Sequence, residues 1–457
     1  MIADALLKAR VRLGALAGDE LVQKLFRGGL TALIIKIASA GLSFLMFVLL
    51  ARAMSIEEYG KFAFGFSLAT FLSIVASCGM QTGILRWWPE HESKGELDEA
   101  NAILCWGIKI TAAASIGVAL ILLLTSLLST TVHAFPWYCS SAALLIPPLA
   151  VAEYVACAFR AQGRVFFALA PRDLFWRLGI SVAAGFTLIN GTTLDAPSTL
   201  SILAILLVLL LSLQLSPLLR PYIHFLYSTS TSSLRYKHHW TNALPMWGAG
   251  VIAAATQYLD VVLLGLFLSP SDTGPYFAAA RLATLLNLVL MASNMISAPT
   301  ISRYFHSGDH VSLRRSLRYI VAAIAIPTTS LFFAFVAFGD QLLELFGSGY
   351  AHAYIPLLLL SAGFTVNALC GPTGYLLQMA GQEWTYLRIM ASTYLGTIAF
   401  QLVAIPLFGM IGASLGTLLG FSVWNLWSRH VSVELLRLDP TVYTFFTQPC
   451  TPRRSHA

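Results

Sequence analysis

Apolar residues run through the chain in stretches of about twenty, separated by short polar turns. Twelve stretches stand out: 29–53, 59–80, 101–128, 137–160, 170–190, 197–218, 243–268, 275–298, 317–338, 354–378, 385–407 and 410–430. A helix rising about 1.5 Å per residue needs roughly 20 apolar residues to cross a bilayer core of about 30 Å, and each stretch meets that need. The stretch 170–190 is the most polar at its start, where Arg172, Asp173 and Arg177 crowd together. The longest connection runs from Leu219 to Trp240, so no loop is large enough for a soluble lobe. The pattern predicts an all-α integral membrane protein.

Composition agrees. Charged residues make up 11% of the chain and hydrophobic ones 57%, with a mean hydropathy of +0.74. A soluble domain carries roughly 25% charge, so this chain lacks the polar surface to face water on all sides. Its net charge of +7 is therefore informative by position and not as a nucleic-acid signal. Assigning the turns alternately to two sides puts twenty-two of the 28 Lys and Arg with the chain ends, from Lys8 and Arg10 through Arg314 and Arg315 to Arg453 and Arg454. Only Arg52 and Lys61 fall on the other side. That bias predicts cytoplasmic N and C termini. Residues 1–28, with Lys8, Arg10, Arg12, Lys24 and Arg27, read as an interfacial cytoplasmic helix and not as a cleavable signal. The six cysteines (Cys78, Cys105, Cys139, Cys157, Cys370, Cys450) form no CxxC pair, and no HExxH occurs, so neither disulfides nor a metal site are expected.

An internal repeat divides the chain. Shifted by 214, Val48 to Leu50 fall on Val262 to Leu264, Ser55 on Ser269 and Gly60 on Gly274. Leu68, Ala69 and Thr70 fall on Leu282, Ala283 and Thr284, and Leu72 and Val75 on Leu286 and Val289. Leu and Val matches arise by chance between apolar helices, but ungapped Ser, Gly and Ala-Thr matches across a turn do not. Six spans per half make the repeats parallel, around a central cavity. The expected organisation is an N-terminal segment (1–28), a first half (29–218), a linker (219–242), a second half (243–430) and a cytoplasmic tail (431–457).

Ionisable groups inside spans are costly and therefore mark function. Lys36, Lys109, Glu153 and Arg177 fall in the inner halves of the first six spans. Asp260 and Arg281 lie about 12 Å and about 9 Å below the outer ends of adjacent spans in the second half. At matching depth these two are expected to pair and close the outer gate, with direct ligand contact as the competing role. Lys36 and Lys109 either snorkel to the inner headgroups or meet an anion in the cavity. Arg177 reads as interfacial. Glu153, after Pro147 and Pro148, is expected to neutralise Lys36 or Lys109, or to carry a coupling proton. Tyr258 and Tyr276 flank the charged pair and can stack on sugar faces. Trp87, Trp88, Trp137 and Tyr138 read as interfacial belt.

These features leave a channel, a transporter and a membrane enzyme open. The stretch from Leu50 to Gly60 (LARAMSIEEYG) resembles the turn after the first helix in oligosaccharide-lipid flippases of polysaccharide biosynthesis, within the multidrug/oligosaccharidyl-lipid/polysaccharide exporter superfamily. Tyr258 to Gly265 (YLDVVLLG), Phe346 to Ala351 (FGSGYA) and Met379 to Gln382 (MAGQ) are similar to later parts of the same family, in the same order. The resemblance spans about residues 25 to 435. It implies translocation of an undecaprenyl-pyrophosphate-linked oligosaccharide across the bacterial inner membrane by alternating access, without a cofactor and with H+ or Na+ as the candidate coupling ion. It also implies membrane lipids, a glycan polymerase and a chain-length regulator as partners. On that reading Lys36, Lys109, Arg281, Tyr258 and Tyr276 are cavity candidates, and Asp260, Arg281 and Glu153 gate or coupling candidates. A multidrug exporter of the same superfamily is the first alternative. The in-span charges, four basic (Lys36, Lys109, Arg177, Arg281) against two acidic, favour an anionic substrate over an organic cation. A glycan polymerase or transferase ranks lower, because the outer loops are too short to build a catalytic lobe.

Overall fold

The computed structural model describes residues 20–128, 139–219, 237–307 and 309–444, and among these it contains helices and no strand. The first half runs α1 (Glu20–Ala53), α2 (Ile56–Ala76), α3 (Met80–Ser93), α4 (Leu97–Leu128) and α5 (Cys139–Ala161). It continues through α6 (Val165–Ala170), a π-helical turn (Pro171–Trp176), α7 (Arg177–Ile189) and α8 (Ala196–Leu219). The second half runs α9 (Lys237–Phe267), α10 (Pro270–His306), α11 (His310–Glu344), α12 (Tyr354–Cys370), α13 (Thr373–Met379) and α14 (Glu383–Leu436).

Ten of these helices are long and apolar enough to span a membrane. Two physical features reconcile that number with the twelve predicted spans. α14 is two helices joined at Gly409, whose φ of 58° and ψ of −136° are not helical. Its legs fold into a tight antiparallel hairpin. Gly412 faces the Ala404 carbonyl, Gly416 the Gln401 side chain and Gly420 the Thr397 side chain, and none leaves room for a Cβ. Small residues every fourth position let two membrane helices approach this closely. The remaining predicted span, 170–190, is interrupted by the π turn, so its longest regular piece, α7, is only 13 residues. Pro171, which lacks an N–H, opens that turn.

Several boundaries and one assignment differ from the sequence expectation. The second span begins at Ile56, where Ser55 caps it by accepting from the Glu58 N–H at 3.2 Å, and it ends at Ala76. Left-handed Cys78 and Gly79 then turn the chain into α3, which apolar periodicity did not reveal. Trp87 and Trp88 on α3 are buried against the first half and do not belong to an interfacial belt. α9 starts at Lys237, earlier than predicted. Residues 1–19, Trp137, Tyr138 and Cys450 lie outside the described residues, and Glu20 to Gly28 continue directly into α1.

At the end opposite the start of α1 the two halves are in backbone contact. A Cβ on Gly60 would overlap the backbone carbonyl of Pro270, and one on Gly274 would lie 3.0 Å from the Ile56 carbonyl and 3.1 Å from the Gly60 nitrogen. Residues 56 and 270 are themselves repeat equivalents, so the contact is reciprocal across the pseudo-two-fold axis. Ser55 and Ser269 take nearly the same backbone angles as the caps of α2 and α10.

On the other face the chain beyond α14 doubles back. Arg437 takes a left-handed conformation (φ 53°), and Leu438 is buried against Ile301, Leu313, Leu317 and Leu376. The Val442 N–H donates to the Leu369 carbonyl at 3.0 Å, and Asp439 accepts from Arg429 Nη2 at 2.6 Å.

Candidate functional site

Beneath the Gly60–Gly274 contact, aromatic side chains from both halves close the space between them. Phe47 lies 5.2 Å from Phe277, Tyr59 lies 6.0 Å from Phe277, and Tyr59 lies 5.8 Å from Tyr350, all edge-on. All four are buried. Arg52 Nε donates to the Leu345 carbonyl at 2.7 Å and ties α1 to the turn after α11. These edge-on contacts pack the two halves against each other and form a seal on this face.

Arg281, on α10, sits at the edge of the seal. Its guanidinium carbon lies 4.5 Å from the Phe277 ring centre, 5.4 Å from Tyr258 and 5.6 Å from Phe47. Its Nε is buried without a hydrogen-bond partner. The expected Asp260–Arg281 gate pair does not form. Asp260 Oδ2 accepts from the Tyr276 hydroxyl at 2.7 Å and Oδ1 from the Val261 N–H at 2.8 Å, so both carboxylate oxygens are engaged within the second half. Tyr276 is fully buried and holds Asp260, which leaves no face for a sugar. Tyr258 is committed to the aromatic cage around Arg281.

The first half carries a separate ionic network on the face of the chain ends. Lys36 Nζ on α1 lies 2.6 Å from Asp173 Oδ2, with the lysine side chain 46% exposed and the aspartate 7%. Arg177 donates to the Ser39 carbonyl at 2.6 Å and to its hydroxyl, so it clamps α7 to α1. The π turn makes this possible by bringing Asp173 and Arg177 to the same wall as Lys36. Glu153 does not neutralise Lys36 or Lys109. It is bonded to Arg172, and Arg160 Nη2 lies 3.4 Å away. Lys109 is exposed on α4 and forms no ion pair among the described residues.

A cavity of about 480 Å³ lies within the second half, between α9, α10, α12, α13 and α14. Among the described residues Asp260 is the one charged residue on its wall, and neither Lys36, Lys109 nor Arg281 lines it. An aromatic row crosses it: Tyr386 to Trp424 at 6.2 Å, Trp424 to Phe421 at 6.0 Å, and Phe421 to Phe364 at 5.1 Å. Gln257, Asn287, Asn367 and Gln401 add amides. Charged residues alone do not reveal this site, because among its described lining residues only Asp260 is charged. The available signal was four amide side chains inside otherwise apolar spans, which are costly there unless they have partners. Among the described residues no group of His, Cys, Asp and Glu could hold a metal ion.

Known proteins resemble this chain over most of its length. Residues 25–305 match the model of the family described as polysaccharide biosynthesis protein. The probable low-salt glycan biosynthesis flippase of Haloferax volcanii is 22% identical over 414 residues, covering 89% of this chain and 83% of the relative. A succinoglycan biosynthesis transport protein of Rhizobium meliloti is 25% identical over 380 residues, covering 80% and 72%. Among solved structures, the lipid II flippase MurJ in an inward closed conformation superposes with a TM-score of 0.66 at 12% identity, covering 90% of this chain and 88% of its own. A multidrug resistance MATE family transporter in an inward-facing conformation gives 0.66 at 13% identity, covering 87% and 95%. The fold is that of these transporters.

Proposed function

Since this chain belongs to the polysaccharide biosynthesis protein family, we propose that it is a flippase carrying an undecaprenyl-pyrophosphate-linked oligosaccharide from the inner to the outer leaflet of the bacterial inner membrane. It is a transporter and not an enzyme, as are its relatives by name. The observation that carries the reading is Arg281. A guanidinium in the middle of a membrane protein needs a counter-charge, and this one makes no ion pair among the described residues and packs among the rings of Phe277, Tyr258 and Phe47. A mobile pyrophosphate supplies that counter-charge when the substrate is bound, and two such anionic groups can accept paired N–H donors.

Lys36 serves as the first contact, at the face where the substrate enters. With cytoplasmic termini, the contact at Gly60 and Gly274 faces outward, which agrees with substrate entry from inside. Ion coupling, by H+ or Na+, falls to Asp260 and not to Glu153, because Glu153 is already bridged by Arg160 and Arg172.

A second reading, export of organic cations, draws on the second-half cavity with its aromatic row and single acid. The names of the sequence relatives and the uncompensated Arg281 weigh against it. The test is export of lipid-linked glycan in cells carrying Arg281→Ala, Lys36→Ala or both, at equal protein levels. Each single change is expected to lower export at least about tenfold, a loss of about 1.4 kcal/mol in charge-assisted contact. Full export by the double variant would overturn the proposal.

A further inference from the structure

We infer that the second-half cavity is a carbohydrate-binding chamber, which takes neutral sugar rings of the substrate while its pyrophosphate stays with Arg281 and Lys36. This rests on the flippase reading above and assigns the two chemically different parts of the substrate to different residues.

The chemistry of the wall points to sugars. A hexose presents C–H faces, which pack on aromatic rings, and hydroxyl edges, which need both donors and acceptors. Tyr386, Trp424, Phe421 and Phe364 form a continuous row of rings 5.1 to 6.2 Å apart, drawn from α12 and both legs of the α14 hairpin. Opposite chemistry is supplied by Asn287 and Asn367, whose amides line the cavity and have no hydrogen-bond partner within the protein among the described residues. An amide in a membrane interior without a partner is expensive. It is stable here only if water or a polar ligand fills the chamber. The volume of about 480 Å³ lies within the range of small-molecule sites.

The charges of the chamber argue against the other ligand classes. Among the described residues no Lys or Arg lines the chamber, which disfavours it as the pyrophosphate site. The single acid among the described lining residues, Asp260, is anchored on each oxygen by Tyr276 and the Val261 N–H, so it is held against the wall and offers at most a small ion the remaining lone pairs. A polyprenyl tail would leave the amides unsatisfied. What remains is a neutral, polyhydroxylated ligand with apolar faces. Ring stacking reads the C–H faces common to hexoses, so the chamber tolerates different sugars.

The test compares two lipids on the purified full-length chain: undecaprenyl pyrophosphate, and the same lipid carrying a linear glucose trisaccharide. The sugar is expected to tighten binding about tenfold, from stacking on two or more rings. Replacing Tyr386→Ala and Trp424→Ala together should erase that increment and leave binding of the bare lipid within about twofold. Asn287→Ala and Asn367→Ala, which keep every ring, form a second pair that should weaken the increment by about threefold each. Loss of bare-lipid binding in the ring variant would mark misfolding, and the amide pair then decides alone. A sugar increment absent from the parent, or surviving in the ring and amide variants, would overturn the inference while leaving the flippase reading intact. So would tetraphenylphosphonium binding that disappears with Trp424→Ala, since it would assign the chamber to cations. A parent that binds neither lipid would sink the flippase reading and this inference together.

Discussion

Gly60 and Gly274, 214 residues apart in sequence and equivalent in the repeat, touch each other across the pseudo-two-fold axis at the sealed end of the molecule. The position admits no side chain because each glycine lies against the backbone at the start of the other half's helix. The contact is therefore a zipper tooth between halves, and it must part when the molecule opens on that face.

The two glycines are not equally tight. A methyl on Gly60 collides with the Pro270 carbonyl, whereas one on Gly274 meets the Ile56 carbonyl at 3.0 Å and needs only a small shift. Gly60→Ala is expected to disfavour the sealed state by about 1–3 kcal/mol, and Gly274→Ala by less. Spin labels on Glu57→Cys and Ser271→Cys, both at exposed positions, report the change in an otherwise cysteine-free background. Gly60→Ala should shift the distance distribution to longer values, and Gly274→Ala should do so more weakly. An unchanged distribution in Gly60→Ala would refute the zipper.

The partners of Glu153 give a double-mutant prediction. Because it bridges Arg172 and Arg160, removing Glu153 and Arg172 should be non-additive in thermal stability. The coupling expected for a partly exposed pair is about 0.5–1 kcal/mol. Glu153→Gln combined with Lys36→Ala should be additive within about 0.5 kcal/mol, since Lys36 is paired with Asp173 instead. Coupling of Glu153 to Lys36 above that value would show that the two networks are one.

The strap after α14 carries a pH dependence. Burial alone raises the Asp439 carboxyl, but hydrogen bonds from Arg429 and Thr441 outweigh it and hold the group below its ordinary range. A depressed folded-state value means stability that is present above the unfolded value of about 3.9 and is lost as pH falls through the folded one. Proteolysis of the strap in detergent should accelerate as pH drops below about 4, and Asp439→Asn should cleave quickly at all pH values. A strap equally resistant in parent and variant would show that Leu438 burial alone holds it.

Much of the architecture was legible without a structure. Span length, the basic bias and the repeat depend on local properties: apolar run length against bilayer thickness, and residue identity at a fixed offset. The resemblance carried by Leu50 to Gly60 pointed to the family that the comparison over residues 25–305 shows. What failed were statements about partners. Asp260 and Arg281 share a depth, yet depth along two helices does not fix the direction in which each side chain points. One turns to Tyr276 inside the second half and the other to Phe277 and Phe47 between the halves. Likewise the π turn rotated Asp173 onto Lys36, and α3 carried Trp87 and Trp88 into the core.

The sequence by itself determined that the chain crosses the membrane many times in two related halves, because burial in lipid constrains every residue of a span in the same way. Only the tertiary structure decided which charges are paired, where the halves meet and where a chamber remains. Those outcomes depend on helix rotation and close packing between residues far apart in the chain. The seal at Gly60 and Gly274 joins both kinds of information: the repeat marked the two glycines as equivalent, and packing brought them together.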